Sequence, residues 1–404
     1  MQSKFNKMDE KKVKVALIVS HPIQHFCPQY ESFAKNPHAD FKVFFASKMG
    51  MTSYYDDKFK KEISWSNIRL TNFNHTFLNE QATNVGASLD AKRLDTDLSF
   101  FDPDIVIIYG YFQKFQRRAH KWAYTNKKVL AYISDSEFRH DINWVKKLLK
   151  WPFLKWYFSK INYFLSVGEA NEEYYNYYGI RKSKLIRMHF PIDVSLYEKA
   201  WNNMEALNMS VRRRFNLKED DFISCVVGKL VSSKSQDHII EAMILLEERQ
   251  KYLTLLIIGS GEMEEEWKQK AKKLKNSIVY FTGFVNPDEL PAFYAACNVY
   301  IHPASIDAHT LAVSEAIYMG CPIILSDKCG SYGETDDVQV QKNGWVYKFG
   351  DINQLSGIIE YAMFNKQIVE KYSIYSHHIA TQFQNVSHHI SFEKLINMVN
   401  VSDT

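Results

Sequence analysis

The chain has little that would mark it as secreted, membrane-spanning or fibrous. Its 404 residues include five cysteines, Cys27, Cys225, Cys297, Cys321 and Cys329. The number is odd and no Cys-x-x-Cys occurs, so reduced thiols in a cytoplasmic protein are expected. No run of eighteen apolar residues is present, and no segment is expected to cross a membrane. The opening MQSKFNKMDEKKVKVALIVS carries charges and one short apolar run that ends strand-like. It reads as neither a signal peptide nor a span. Repeats of solenoid period and low-complexity tracts are absent as well. Charge of one sign is also scarce: 50 Lys and Arg against 46 Asp and Glu leave +4, too little to argue for nucleic acid.

What is present is a profile for folding. Hydrophobic residues make up 46% and charged residues 24%, as in soluble globular proteins. The length exceeds one ordinary core, so two domains are expected. Aromatics reach 15%, which suits sugar-stacking or interfacial surfaces and equally suits large cores.

Short apolar runs alternate with longer helical patterns. The runs at 14–20, 41–47, 104–110, 129–135 and 163–168 read as buried parallel strands, because each is short, β-branched or aromatic, and bounded by polar residues. Segments long enough for crossover helices separate them. A second series follows at 222–230, 253–261, 277–284, 299–305, 321–327 and 344–350. Helices are expected at 235–250 and 287–297, the latter capped by Asn286 with Pro287 at its first position. The reading is α/β: two Rossmann-like domains, 1–192 and 193–375, facing a central cleft. A helical, polar segment, 376–404, crosses back toward the first domain. Clefts of this kind bind ligands at strand C-terminal ends.

The stretch SIDAHTLAVSEAIYMGCP, 305–322, links a strand to a helix that Gly320 should end. Free N–H groups around Thr310, Leu311 and Ala312 would suit a phosphate. Glu315, one turn into the helix, could accept hydrogen bonds from a ribose diol. Asp307, in the loop, could hold hydroxyls of a sugar beyond the phosphates. The alternative is a buried, satisfied Glu315 and a helix-start Asp307. Upstream, VVGKLVSSKSQDHIIEA (226–242) is a strand, a loop led by Gly228 and a helix. Lys229 and Lys234 in that loop would clamp a pyrophosphate, or form a solvated pair. Gly259 and Gly261 end one strand. GFV, Gly283 to Val285, ends the next, where backbone groups could meet a nucleobase.

Taken in order, these motifs resemble the donor domain of the family 4 retaining glycosyltransferases, which have the GT-B fold. The resemblance covers roughly residues 195–375. The family's acid–x7–Glu motif matches Asp307 to Glu315, with Asp where Glu is usual. Its Gly-Arg-Leu…Lys clamp matches Gly228-Lys229-Leu230…Lys234, where Lys keeps the charge but not the bidentate fork. Its Gly-Phe-Gly-Leu stretch stands here as Ala308-His309-Thr310-Leu311, without the glycines. Its later Gly-Gly…Glu stands as Gly330-Ser331…Glu334. The resemblance implies Glu315 on the ribose, Lys229 and Lys234 on the diphosphate, Asp307 on the transferred sugar and the Leu311 backbone near the distal phosphate.

The first domain is less similar to the family. SHPIQHFCPQY (20–30) follows its first strand and offers His21 and His25 to a sugar or phosphate, unless one of them caps the next helix. Asp135, in YISDSEFRH (132–140), would orient or deprotonate an acceptor hydroxyl, unless it is an N-cap. The stretch 139–160 interleaves six cations with aromatics against the single acid Asp141. It reads as a domain helix with its aromatics toward the core and its lysines solvated. The other reading is a patch lying on an anionic leaflet.

The expected function is transfer of a sugar from a nucleotide-diphosphate donor to a glycan or lipid-linked acceptor hydroxyl. Anomeric retention is implied, no metal or other cofactor is needed, and the setting is cytoplasmic or peripheral on the inner membrane face. Asp307, Lys234, His25 and Asp135 are the expected catalytic set. Rival readings are an epimerase or phosphorylase on the same fold, and a non-catalytic nucleotide-sugar or glycan binder.

Overall fold

The computed structural model describes residues 12–51, 54–56, 61–63, 68, 70–80, 85–140, 144–384 and 388–400. The strands of its first half are β1 (Val13–Val19), β2 (Ala39–Phe45), β3 (Tyr54–Asp56), β4 (Lys61–Ile63), β5 (Asn74–Phe77), β6 (Ile105–Tyr109), β7 (Val129–Ser134), β8 (Tyr163–Ser166) and β9 (Leu185–Arg187). Those of its second half are β10 (Ile223–Val227), β11 (Thr254–Ile258), β12 (Ile278–Gly283), β13 (Val299–His302), β14 (Ile323–Ser326) and β15 (Gly344–Tyr347).

Seven of the first group form one parallel sheet in the order β5-β2-β1-β6-β7-β8-β9, and the second group forms another in the order β12-β11-β10-β13-β14-β15. Both orders run outward, return to the first strand and continue on its other side, the doubly wound pattern. The reversal falls between β1 and β6 in one lobe and between β10 and β13 in the other. Loops leaving these four strands at their C-terminal ends cannot lie over the sheet and instead frame a crevice.

Continuous apolar sequence accounts for the strands. Thr254–Ile258 is buried at every position, and so are the first four residues of β6, because helices cover both faces. Each strand expected from the sequence is present. Four that were not expected are β5, β9 and the antiparallel pair β3 and β4. Asn74–Phe77 and Leu185–Arg187 are too short and too polar to show a buried period, and only pairing with β2 and β8 defines them. The helix after β12 starts later than expected. It runs Leu290–Ala296 with Pro291 in its first turn, while Asn286 closes a turn onto Glu289 N–H (3.0 Å).

Glycine is required where β10 and β11 end. Gly259 has φ +143°, and a Cβ there would meet the Gly228 carbonyl oxygen at 1.9 Å. This close approach lets the loops after both strands lie in one layer.

The last two helices, Lys366–Gln382 and His388–Asn400, divide between the lobes. The first packs with Tyr372, Ile379 and Ala380 buried. The second is not the polar segment expected. Its Phe392, Leu395, Ile396 and Val399 enter the core of the first lobe, where Phe392 stacks on Phe33 at 4.1 Å. Gln29 and Asn36 bond His388 (2.7 Å) and Glu393 (2.6 Å) beside it. Phe392→Ala is expected to cost about 3–5 kcal/mol, measured as a lower urea midpoint. A loss below about 1 kcal/mol would show that this helix contributes little to the lobe.

Candidate functional site

The loops after β10 and β13 lie side by side because Ser305 donates both its N–H (2.9 Å) and its hydroxyl (3.1 Å) to the Ser233 carbonyl. This brings Lys234 onto Asp307 in a direct ion pair. His302, at the end of β13, donates from Nε2 to the same carboxylate oxygen at 2.8 Å. Burial works to raise the Asp307 pKa, but His302 and Lys234 overcome it and hold the carboxyl well below its usual range. Burial lowers the His302 pKa despite Asp307, so the ring is neutral and its proton sits on Nε2. Lys229 lies half-buried on the same loop, beside Gly228.

The helix Leu311–Tyr318 starts from this cluster. It ends as expected: Gly320, at φ +72°, donates to Ile317 (3.0 Å), and Cys321 donates to Ala316 (2.9 Å). At its start, the Thr310 N–H is already taken by the Ser331 hydroxyl at 3.0 Å. The expected phosphate cradle therefore narrows to the N–H groups of Leu311 and Ala312, which meet no acceptor among the described residues. The segment 307–311 is braced by its neighbour: Gly330 N–H bonds the Asp307 carbonyl (2.9 Å), and a Cβ at Gly330 would strike the Ala308 carbonyl.

Glu315 is buried one turn into this helix and accepts the Tyr294 hydroxyl at 2.9 Å. Burial raises its pKa to about 7, against the opposing effect of hydrogen bonding by Tyr294 and Tyr197. Here the satisfied-acid reading describes one of its oxygens. In the turn after β12, the Gly283 carbonyl accepts from Gly259 N–H at 3.0 Å, and Val285 is half-buried against the core. Part of the backbone expected to meet a nucleobase is thus committed within the fold.

From the first lobe, His21 and His25 follow β1 and Asp135 follows β7. Neither histidine caps the next helix: Phe26 is the N-cap of Cys27–Ala34, and no side chain bonds it. His21 pairs its Nδ1 with the Ser20 hydroxyl (2.8 Å), and burial pushes His25 down to about 4. Both rings are therefore neutral near pH 7. Asp135 is not an N-cap either, since the next helix is Trp144–Ser159. Its side chain meets water, yet both lobes surround it. That enclosure raises its pKa, and it lies within electrostatic reach of His309 and Asp307 across the cleft.

Sequence reasoning did not find the residues that close the lobes on each other. Arg187, ending β9, bonds Glu172 (2.9 Å) and reaches across to Asp336 (3.1 Å). Asp336 also accepts the Glu169 N–H at 3.0 and 3.1 Å, and Glu169 in turn accepts from Glu334 N–H (3.1 Å) and Thr335 N–H (2.7 Å). The Arg139 guanidinium lies 3.6 Å over the Tyr332 ring. His309 stacks on Phe190 of the opposite lobe (5.1 Å, 12°) and pairs with Asp337 at 3.2 Å. Burial lowers the His309 pKa, but Asp337 and Asp336 outweigh it and the net shift is upward. The signals were thin: His309 stands where the resembled motif has phenylalanine, and adjacent Asp336-Asp337 is an unusual pair to bury.

Residues 210–378 match the family model described as glycosyl transferases group 1. The match covers most of the second lobe. An uncharacterized glycosyltransferase of Methanocaldococcus jannaschii is 29% identical over 197 residues, covering 45% of this chain and 47% of the relative. A GDP-mannose-dependent alpha-(1-6)-phosphatidylinositol monomannoside mannosyltransferase of Mycobacterium tuberculosis is 28% identical over 169 residues, covering 40% and 43%. The chain thus spans just under half the length of these curated relatives. Anabaena HepE in complex with UDP shares the fold over 96% of this chain and 100% of its own, with a TM-score of 0.67 at 13% identity. The matched region contains Lys229, Lys234, Asp307 and Glu315.

Two outcomes follow. A carboxyl raised on folding binds its proton more tightly in the folded state, so its contribution to stability is full below about pH 4.5 and lost as pH rises through about 7. Relative to Glu315→Gln, the wild type should lose roughly 3 kcal/mol between those limits; parallel stability–pH curves for the two proteins would contradict the shift. Arg187→Ala leaves Asp336 buried without its cation and should cost about 3–5 kcal/mol. In urea melts the double variant Arg187→Ala/Asp336→Asn should recover part of that loss.

Proposed function

We propose that the chain transfers a sugar from a nucleoside-diphosphate sugar to an acceptor hydroxyl, with retention at the anomeric carbon and without a metal. One observation carries this reading: Lys234, Asp307, the free amides of Leu311 and Ala312, and Glu315 converge on the edge where β10 and β13 part. A cation and two helix-end N–H groups are the equipment for a departing diphosphate. Lys229 and Lys234 would take the phosphates, and Glu315 would hold the ribose. Asp307, released from Lys234, would meet the transferred sugar. The bond from the anomeric carbon to the diphosphate breaks, its electron pair leaving with the phosphate oxygen, and the acceptor oxygen takes the carbon. Asp135, its pKa raised by burial, would accept the acceptor's proton, and His25 would assist the acceptor. The relatives named as glycosyltransferases, the UDP complex of HepE and the group 1 match support the reading. A glycan or lipid-linked acceptor in polysaccharide synthesis is the setting it fits.

A second reading has its own observation. Lys234 and the Thr310 N–H are both engaged within the protein, as they would be in a chain that binds nucleotide sugars without turnover.

A thermal-shift series with UDP, GDP, dTDP and ADP tests the donor site. A ligand at about 100 times its Kd adds about 2.7 kcal/mol of stability. One nucleotide should raise the Tm, and Lys234→Ala and Glu315→Ala should each abolish the rise. Indifference of the wild type to all four overturns the donor site. A shift without donor hydrolysis or transfer to any acceptor favours the binder.

A further inference from the structure

The helix Trp144–Ser159 is built backwards for a solvated helix. Leu154, Tyr157 and Phe158 seat it on the first lobe's core. At about 100° per residue, Val145, Leu148, Leu149, Pro152 and Trp156 share an arc of about 100° on the opposite side. That arc faces outward: Leu149 is 74% exposed, Leu148 62% and Trp156 58%, and Trp144 beside it is 73% exposed. The expectation that the aromatics face the core and leave only lysines in water therefore holds for one side of the helix and fails for the other. Asp141 and Ile142 of the same stretch lie outside the described residues.

The cations frame this apolar arc. Lys155 borders it on one side, with its Nζ 4.4 Å over the Trp151 ring; Lys146 and Lys160 border it on the other, Lys160 lying 4.9 Å over Tyr124. Lys147 is held between the rings of Phe138 and Tyr177, at 3.7 and 4.1 Å. From Trp144 to Lys160 there are five lysines and no acid. Leucine and tryptophan pointing to solvent within a ring of lysines lose free energy in water. They gain it where hydrocarbon meets negative headgroups. A second copy of the chain is a poor occupant, because it would set five lysines against five.

We infer that this face docks on an anionic lipid bilayer, with Leu148, Leu149 and Trp156 entering the headgroup boundary and the lysines on the phosphates. The helix follows the turn that carries Glu137 and Arg139 against the second lobe, so docking places the cleft beside the membrane. This holds whether or not the transfer reading does, since it is argued from the exposure and charge of this face alone.

Flotation of the full chain with vesicles of neutral phosphatidylcholine, or with 30% phosphatidylglycerol added, tests it. Binding to the anionic vesicles should be at least tenfold stronger, fall with salt, and shift tryptophan emission to the blue. Leu148→Ser/Leu149→Ser should lose it at unchanged Tm, as both side chains point away from the core. Lys146→Glu/Lys155→Glu should lose the salt dependence together with most of the binding. Equal binding to both vesicle types, or no binding by the folded wild type, overturns the inference. So does a concentration-dependent dimer that the serine pair dissolves, which would make the face an interface between copies.

Discussion

The burial of one carboxylate, Asp336, constrains the relation between the two lobes. It belongs to the second lobe, yet its partners are Arg187 and the Glu169 N–H of the first. Desolvation raises its pKa to about 6 even against Arg187, so the ion pair forms at a cost and tolerates little slack. Because Gly168 and Gly333 both approach it closely, a side chain at either would press on the carboxylate or on Glu169. Opening the cleft means exposing or re-pairing this group, and so the loop 330–337 sets how the two lobes meet.

The same loop shapes the segment that leads into the helix Leu311–Tyr318. Gly330 and Ser331 hold 307–310 by backbone contact and by the bond to the Thr310 N–H. His309 then points out of the loop into a sandwich with Phe190 and Asp337. The phenylalanine of the resembled motif could stack there but could not pair with a carboxylate, whereas histidine both stacks on Phe190 of the opposite lobe and pairs with Asp337. The nearby Lys234–Asp307–His302 cluster is likewise self-satisfied. In the proposed transfer an incoming diphosphate would compete with Asp307 for Lys234, and the gain from pairing with two phosphate charges would have to exceed what the carboxylate gave.

The outward face of Trp144–Ser159 follows a different logic. Its exposed leucines and tryptophans weaken nothing in the core, because the opposite side of the helix is seated by Leu154, Tyr157 and Phe158. No helix among the described residues is long and apolar enough to cross a membrane. The proposed docking would set this face on a surface and leave both crevices open.

The sequence by itself determined the local chemistry. The two strand series, the helix stop at Gly320, and the placing of Lys229, Lys234, Asp307 and Glu315 on strand-to-helix loops were all legible. Each depends on period, capping or glycine conformation, which act within a few residues. Only the tertiary structure decided which strands adjoin, and hence that β10 and β13 part beside these four residues. It also decided that Lys234 pairs with Asp307, that Ser331 occupies an amide, and which side of Trp144–Ser159 faces out. Partners such as Arg187 and Asp336, 149 residues apart, leave no periodic trace, because a buried charge is specified by what lies across from it in space and not by its neighbours in the chain.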